Sequence, residues 1–190
     1  MNTFLETAGS FIIGGMILLI IISFNLNMNT NSIENIQNAF ILNNSVVNAS
    51  IFDYDLYKVG FRATSNKISI ADSNRLKFAA DIDNNSIIDT IEYKTGTTSD
   101  MSATFNPNDQ PVLRKLNGGS YYSVAVVSNL IFSYFDSLGT KIPYGYLAYQ
   151  TNRDRIRTIK IEASFQSDEP SDTTYGGLNW TKTYRPKNLR

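Results

Sequence analysis

The sequence predicts an α+β chain: one long N-terminal helix, membrane-spanning in its first half and amphipathic in its second, packed on an antiparallel β-sheet. Three observations predict it. The stretch FIIGGMILLIIISF, residues 11–24, is almost wholly apolar. Apolar residues then recur in steps of three and four as far as Tyr54, the period of an amphipathic helix. Beyond Gly60 the period falls to two, as in KISIADSNRLKFAADI and RIRTIKIEASFQS, the mark of half-buried strands.

The apolar stretch sets the class of protein. Ala8 to Met28 is about 21 residues, close to the ~20 that cross a bilayer core as helix, so residues 1–28 read as a transmembrane segment. A secretory signal has a positive start, a shorter apolar core and a small-x-small cleavage site. Here no Lys or Arg precedes Lys58, and Ser23 to Asn31 contains no Ala-x-Ala. The segment therefore reads as an uncut anchor. Flanks without basic residues leave the positive-inside rule silent. Orientation is then set by size: a small N-terminal flank on the cytoplasmic side, and the bulk of the chain extracytoplasmic. Gly14 and Gly15 lie inside this helix. Each costs about 1 kcal/mol against Ala in a water-exposed helix, whereas in a membrane small residues let helices approach closely. Glu6 sits at the start. It either rests among headgroups and favours the helix N-terminal dipole, or pairs with the N-terminal amine of a neighbouring chain.

Residues 29–60 read as the amphipathic continuation. Ile33, Ile36, Phe40, Val47, Ile51 and Tyr54 supply its apolar positions, with Ala39, Val46 and Leu56 nearby, and Asn and Ser fill the other face. No Pro interrupts it, and no Gly occurs between Gly15 and Gly60. From Ala8 to Val59 an unbroken helix measures about 78 Å, and Gly60 reads as its stop. Residues 61–190 read as a β-rich extracytoplasmic domain. Leu76, Phe78, Ala80 and Ile82 share one strand face; NNS is a turn; IIDTIEYK and PVLRKLN are the next strands. SVAVVSNLIFSYFD is a longer apolar segment, bent or split, closed by SLG. Ile159, Ile161, Ala163 and Phe165 alternate with polar residues, and NWTKTY is a last edge strand ended by Pro186. One face of such a sheet needs cover, and the helix provides it.

Composition narrows function. The 190 residues carry 17 basic and 17 acidic side chains, for a net charge of zero, which gives no general attraction to nucleic acid. Residues 1–57 hold Glu6, Glu34, Asp53 and Asp55 and no base, a net −4, so the remainder is +4. The tail NWTKTYRPKNLR holds Lys182, Arg185, Lys187 and Arg190 and no acid. It reads as a solvated, frayed end, or as a contact for anionic lipid or an acidic partner. There is no Cys and no His. Disulfides, thiolate sites and Cys nucleophiles are excluded, and so are the usual general base and the commonest metal ligand. A non-enzymatic chain with no cofactor and no small-molecule substrate is expected.

One motif stands apart. In DIDNNSIIDTIE, Asp81, Asp83, Asn85, Asp89 and Glu92 fall at positions 1, 3, 5, 9 and 12 of a calcium loop of the EF-hand kind. Calcium needs several oxygens converging at about 2.3–2.6 Å, and these side chains carry them. Against it, position 6 is Ser86 where the sharp turn prefers Gly, and the flanks read as strands. The competing reading is a hairpin whose turn is polar because turns are polar. The aromatics Tyr121, Tyr122, Tyr134, Phe135, Tyr144, Tyr146 and Tyr149 read as core or subunit contact. RDRIR, residues 153–157, is a small basic knot that begins a strand or binds an anion.

The short acidic head, the unbroken apolar segment, the amphipathic run ending at FDYDLYKVGF, then RLKFAADIDNNSIIDTIEY and NLIFSYFDSLG ahead of RIRTIKIEASF, together resemble the type IV pilin superfamily. The likeness is nearest to minor pilins and the minor pseudopilins of type II secretion, and spans most of the chain. It implies a subunit held in the inner membrane by a single pass before assembly, or carried into an extracellular filament, with other pilin-like subunits as partners beside membrane lipid. Phe4, Leu5 and Glu6 look like the family's opening aromatic, aliphatic and acidic residues, so Glu6 would neutralise a neighbour's N-terminus and set register. The family's short basic leader ending in Gly has no counterpart in MNT. A stand-alone, membrane-tethered binding module for calcium or a surface ligand is the alternative.

Overall fold

The computed structural model describes residues 2–168, 170 and 174–190; within the N-terminal helix the side chains of residues 2, 34, 37, 38 and 40–49 are outside that description. The architecture is α+β, as the sequence predicts. Helix α1 spans Asn2–Tyr57, and two antiparallel sheets follow. The chain divides into two compact units, residues 1–39 and 40–190.

The first unit is helix. Thr3–Ile33, 31 residues, is long and apolar enough to cross a membrane, as an anchor or as a signal sequence. Its large apolar side chains, from Phe4 to Ile33, are all exposed. Phe4, Leu5, Glu6, Gly14 and Gly15 all lie on this exposed surface.

In the second unit the end of α1 joins a core with both sheets. Phe52, Leu56 and, just past the helix, Val59 are buried, at the i, i+4, i+7 spacing of one helix face. This differs from the expected face. Ile33, Ile36 and Tyr54 are exposed and Ile51 only half-buried, while Phe40, Val46 and Val47 lie outside the described residues. The face that docks is turned toward Phe52 and includes a buried acid, Asp55, which a count of apolar residues cannot find. Gly60 ends the run with φ +76° and donates its N–H to the Ala79 carbonyl at 2.9 Å. A Cβ there would stand 3.0 Å from the Lys67 side chain and 3.3 Å from the Asn188 carbonyl, so both conformation and space call for glycine.

The five-stranded sheet is a meander: β1 (Ile68–Ala71), β2 (Arg75–Ala80), β3 (Asp89–Thr95), β4 (Gln110–Leu116) and β5 (Tyr122–Val127), in that spatial order. The expected first strand is in fact two. Asp72–Asn74 reverses the chain, and Ala71 pairs with Leu76. Ile87 and Ile88, expected in a strand, are exposed and precede β3. The single expected sheet also divides. At Ser128 the chain leaves β5 and enters β6 (Asn129–Phe135), which pairs with β7 (Thr158–Gln166), itself paired with the edge strand β8 (Gly177–Tyr184). The alternation along β7 buries Ile159, Ile161, Ala163 and Phe165 as expected. The basic tail is not frayed: Lys182 lies in β8, Leu189 is buried, and the Lys67 ammonium donates to the Asn188 carbonyl. RDRIR lies ahead of β7, and two of its arginines bond backbone carbonyls. Arg153 donates to the carbonyls of Ile68, Leu147 and Ala148, and Arg157 to those of Asp154 and Ile156.

One buried ion pair bolts α1 to the five-stranded sheet. Arg114 on β4 grips both oxygens of Asp55, Nε to Oδ2 at 2.7 Å and Nη2 to Oδ1 at 3.2 Å. The Tyr93 hydroxyl from β3 donates to the same Oδ2 at 2.5 Å. Asp55 is 1% exposed and Arg114 8%. Burial first, then the charge of Asp55, pushes the Tyr93 phenol well above its usual range, so it stays a donor. A second contact joins α1 to β8: Lys182 and the Tyr184 hydroxyl bond Asp53 at 2.6 and 2.8 Å, half-exposed.

Removing one partner of a buried pair strands the other charge and costs about 3–5 kcal/mol, against about 1 kcal/mol or less for an exposed pair. Asp55→Ala is therefore expected to destabilise the chain by about 3–5 kcal/mol, and Asp53→Ala by about 1 kcal/mol. Denaturant unfolding of the detergent-solubilised chain measures both, and equal losses would contradict the assignment.

Candidate metal centre

The acidic motif forms the connection between β2 and β3. Ala80 pairs with Asp89, which leaves Asp81–Ile88 as the loop. Its path needs two left-handed residues, Asn84 at φ +64° and Ser86 at φ +72°. Asn tolerates that region. Ser86, the residue that stands where Gly is preferred, adopts it too. The Ser86 N–H donates to Asp81 Oδ2 at 3.0 Å, closing the loop across its mouth. Inside, Asn85 N–H and Nδ2 donate to the two oxygens of Asp83, and Ile87 N–H donates to Asn85 Oδ1 at 2.7 Å. The loop thus holds its shape by short side-chain-to-backbone bonds of the Asx kind.

Three carboxylates converge. Asp81, Asp83 and Asp89 each offer an oxygen, and these atoms lie within 4.8 Å of one another. Asp81 and Asp89 are buried and Asp83 is exposed. Arg62 reaches in from the turn after α1 and donates to Asp81 Oδ2 at 2.6 Å and to Ser86 Oγ at 3.1 Å. Asp81 Oδ1 is buried and has no hydrogen-bond partner. Burial pushes the Asp81 carboxyl up, but the Arg62 guanidinium and the Ser86 N–H outweigh it, so the group is held below the usual carboxylate range. Asp89 accepts from the Ile82 N–H at 3.1 Å and from Asn117 Nδ2 at 2.6 Å. Asn117, in the turn after β4 with φ +48°, also accepts from the Thr90 N–H. Sequence reasoning missed both Arg62 and Asn117; their left-handed backbones leave no mark in a hydropathy pattern.

Glu92, expected at position 12, does not join the loop. Asp89 and Glu92 are three apart on a strand, and successive strand side chains alternate, so they face opposite ways. On a helix the same spacing would bring them together, and that is the geometry the expectation borrowed. Glu92 Oε1 instead accepts from Arg75 Nε at 2.7 Å and the Tyr121 hydroxyl at 2.6 Å on the sheet. Burial raises its carboxyl, and the bonds from Tyr121 and Arg75 more than reverse that.

The loop is fastened to the end of α1. The Asp81 N–H donates to the Phe61 carbonyl at 3.0 Å. The Ile82 carbonyl accepts from the Tyr54 hydroxyl at 2.9 Å and from the Lys58 ammonium. Scans against family models, curated proteins and solved structures find no match for the chain.

Glu92 supplies a pH test. Its folded pKa lies below the ordinary 4.5, so its stabilisation is complete above that value and is lost as pH falls through the lowered folded pKa. Stability measured from neutral pH down to about pH 3 should therefore show the gap between the native chain and Glu92→Gln closing below about 4.5. A gap that stays constant with pH would contradict this.

Proposed function

We propose that this chain is a non-catalytic, pilin-like or pseudopilin-like structural subunit, anchored in the inner membrane by one helix, with its bulk extracytoplasmic, and assembling with other pilin-like subunits in a surface filament or secretion apparatus. The carrying observation is the 31-residue apolar span Thr3–Ile33, which its own chain does not bury. Leaving a Leu, Ile, Phe or Met side chain in water forgoes about 1.5–3 kcal/mol relative to burial, so lipid or neighbouring helices must cover the span. Its polar side chains suit that setting. Ser10 donates to the Glu6 carbonyl at 2.8 Å, Asn25 to Ile21 at 3.3 Å and Thr30 to Leu26 at 3.0 Å. Each returns to its own helix one turn back, so none of these needs water.

The glycines support assembly rather than a bare anchor. A Cβ added at Gly14 or Gly15 would meet nothing within 4 Å. Nothing in the chain's own packing asks for glycine there, and close approach of another helix does. The buried acids support a structural role: Asp55 is tied to Arg114 and Tyr93, and Glu92 to the more exposed Arg75 and Tyr121. The alternative, a stand-alone tethered binding module, draws on the acidic loop.

The absence of Cys makes cross-linking clean. A single cysteine at Leu18, in native membranes with a short bismaleimide, should yield adducts with copies of the chain or with other subunits bearing a long apolar N-terminal helix. Glu6→Ala should abolish the adducts while leaving the unfolding curve of the second unit unchanged. Monomer alone at every tested face of the helix, or adducts indifferent to both Glu6→Ala and Gly14→Leu, would favour the lone module.

A further inference from the structure

The second feature of the chain that its own side chains leave unsatisfied is the acidic loop. Three carboxylate oxygens within 4.8 Å repel one another unless a cation sits among them. Among the described residues, the cation bonded to the trio is Arg62, on Asp81 alone, so one compensating charge faces three acids. An acidic cluster on its own is a common surface feature. This one has a buried member: the Asp81 side chain is 0% exposed, and its Oδ1 has no hydrogen-bond partner. Buried polar atoms are almost always satisfied, and an ion or a water is one partner that satisfies an exception of this kind. With Asp83 and Asp89 each bringing a carboxylate oxygen to the same cluster, a dication satisfies the atom and cancels the excess charge at once.

We propose that the loop Asp81–Asp89 is a calcium site, with Asp81 through Oδ1, Asp83 and Asp89 as its carboxylate ligands and Glu92 outside the ligand set. The donors are all hard oxygens, which suit calcium or magnesium. Two oxygens on opposite sides of a calcium ion stand about 4.6–5.2 Å apart, twice the bond length of about 2.3–2.6 Å. The 4.8 Å spread fits inside such a sphere. Magnesium demands near-ideal octahedral geometry at about 2.0–2.1 Å and sheds its water reluctantly, which a loop fixed at both ends by backbone bonds accommodates poorly. Arg62 stays on Asp81 Oδ2, so the ion adds to that contact. Because Asp81 and Ile82 are bonded to Phe61, Tyr54 and Lys58, the ion tightens the joint between the end of α1 and the β2–β3 hairpin.

The inference does not rest on assembly, and its test uses the isolated full chain in detergent. After chelator treatment and dialysis, calorimetric titration with calcium chloride should show one site per chain, and calcium should raise the melting temperature seen by circular dichroism. Asp83 is exposed and, among the described residues, bonds within the loop, so Asp83→Asn should weaken calcium at least about tenfold while the metal-free melting curve stays in place. Glu92→Gln should leave calcium affinity within about twofold, since it lies outside the ligand set. Magnesium should bind at least about tenfold more weakly. The proposal is overturned by no heat and no melting shift up to about 10 mM calcium, beyond the weakest extracellular modules. It is also overturned by calcium binding that survives both Asp83→Asn and Asp89→Asn, by loss of binding in Glu92→Gln, or by magnesium binding as tightly as calcium.

Discussion

The chain makes more apolar surface than it can cover. Between Phe4 and Ile33 every large apolar side chain faces outward, and their combined preference to leave water is on the order of tens of kcal/mol. That exceeds the whole stability of an ordinary domain, about 5–15 kcal/mol. No rearrangement of the sheets could absorb it, because the core is already filled by the chain's own aromatics and aliphatics, with Phe52 set against Tyr93 and Trp180. The surplus has to be met from outside the folded second unit, as it is for a membrane anchor or a signal sequence.

The second unit solves a different problem: how to hold the end of a helix on a sheet in one fixed orientation. Phe52, Leu56 and Val59 contribute the greasy part, and the Asp55–Arg114 fork adds direction. A buried ion pair is weak as a source of net stability but strict about geometry, because either charge alone is intolerable. Here it fixes which face of α1 meets β3 and β4. Gly60 then turns the chain so that Phe61 and Arg62 arrive at the β2–β3 loop. The helix stop, the buried pair and the acidic loop are therefore neighbours in one joint, although Asp55, Asp81 and Arg114 are far apart in sequence.

Much of this was legible. The apolar run and the strict alternation of β7 are one-residue-resolution signals, and Gly60 is the only glycine between Gly15 and Gly96. The failures share a cause: hydropathy carries no information about the third dimension. SVAVVSNLIFSYFD is apolar on both sides of Ser128, so the point where the chain changes sheets is not marked. Asp55 looks like a solvent residue until Arg114 is brought to it across 59 positions. Spacing alone marks the acidic loop, and the fold brings Asp81, Asp83 and Asp89 together while Glu92 lies on the sheet. Spacing rules written for a loop between helices hold only as far as the chain stays a loop, and β3 begins at Asp89. Asn117, which steadies Asp89 from 28 residues away, could be found only from the fold.

The central claim is that residues 3–33 are covered by lipid and not by their own chain. A single spin label at Ile17, in full-length chain reconstituted sparsely into liposomes, tests it most directly by power-saturation resonance spectroscopy. The account predicts strong relaxation by oxygen, which dissolves in the bilayer, and almost none by a water-soluble nickel chelate. A label that neither reagent reaches would mean that the segment is enclosed by the protein itself, and one that the chelate reaches freely would mean that it stands in water; either result contradicts the account.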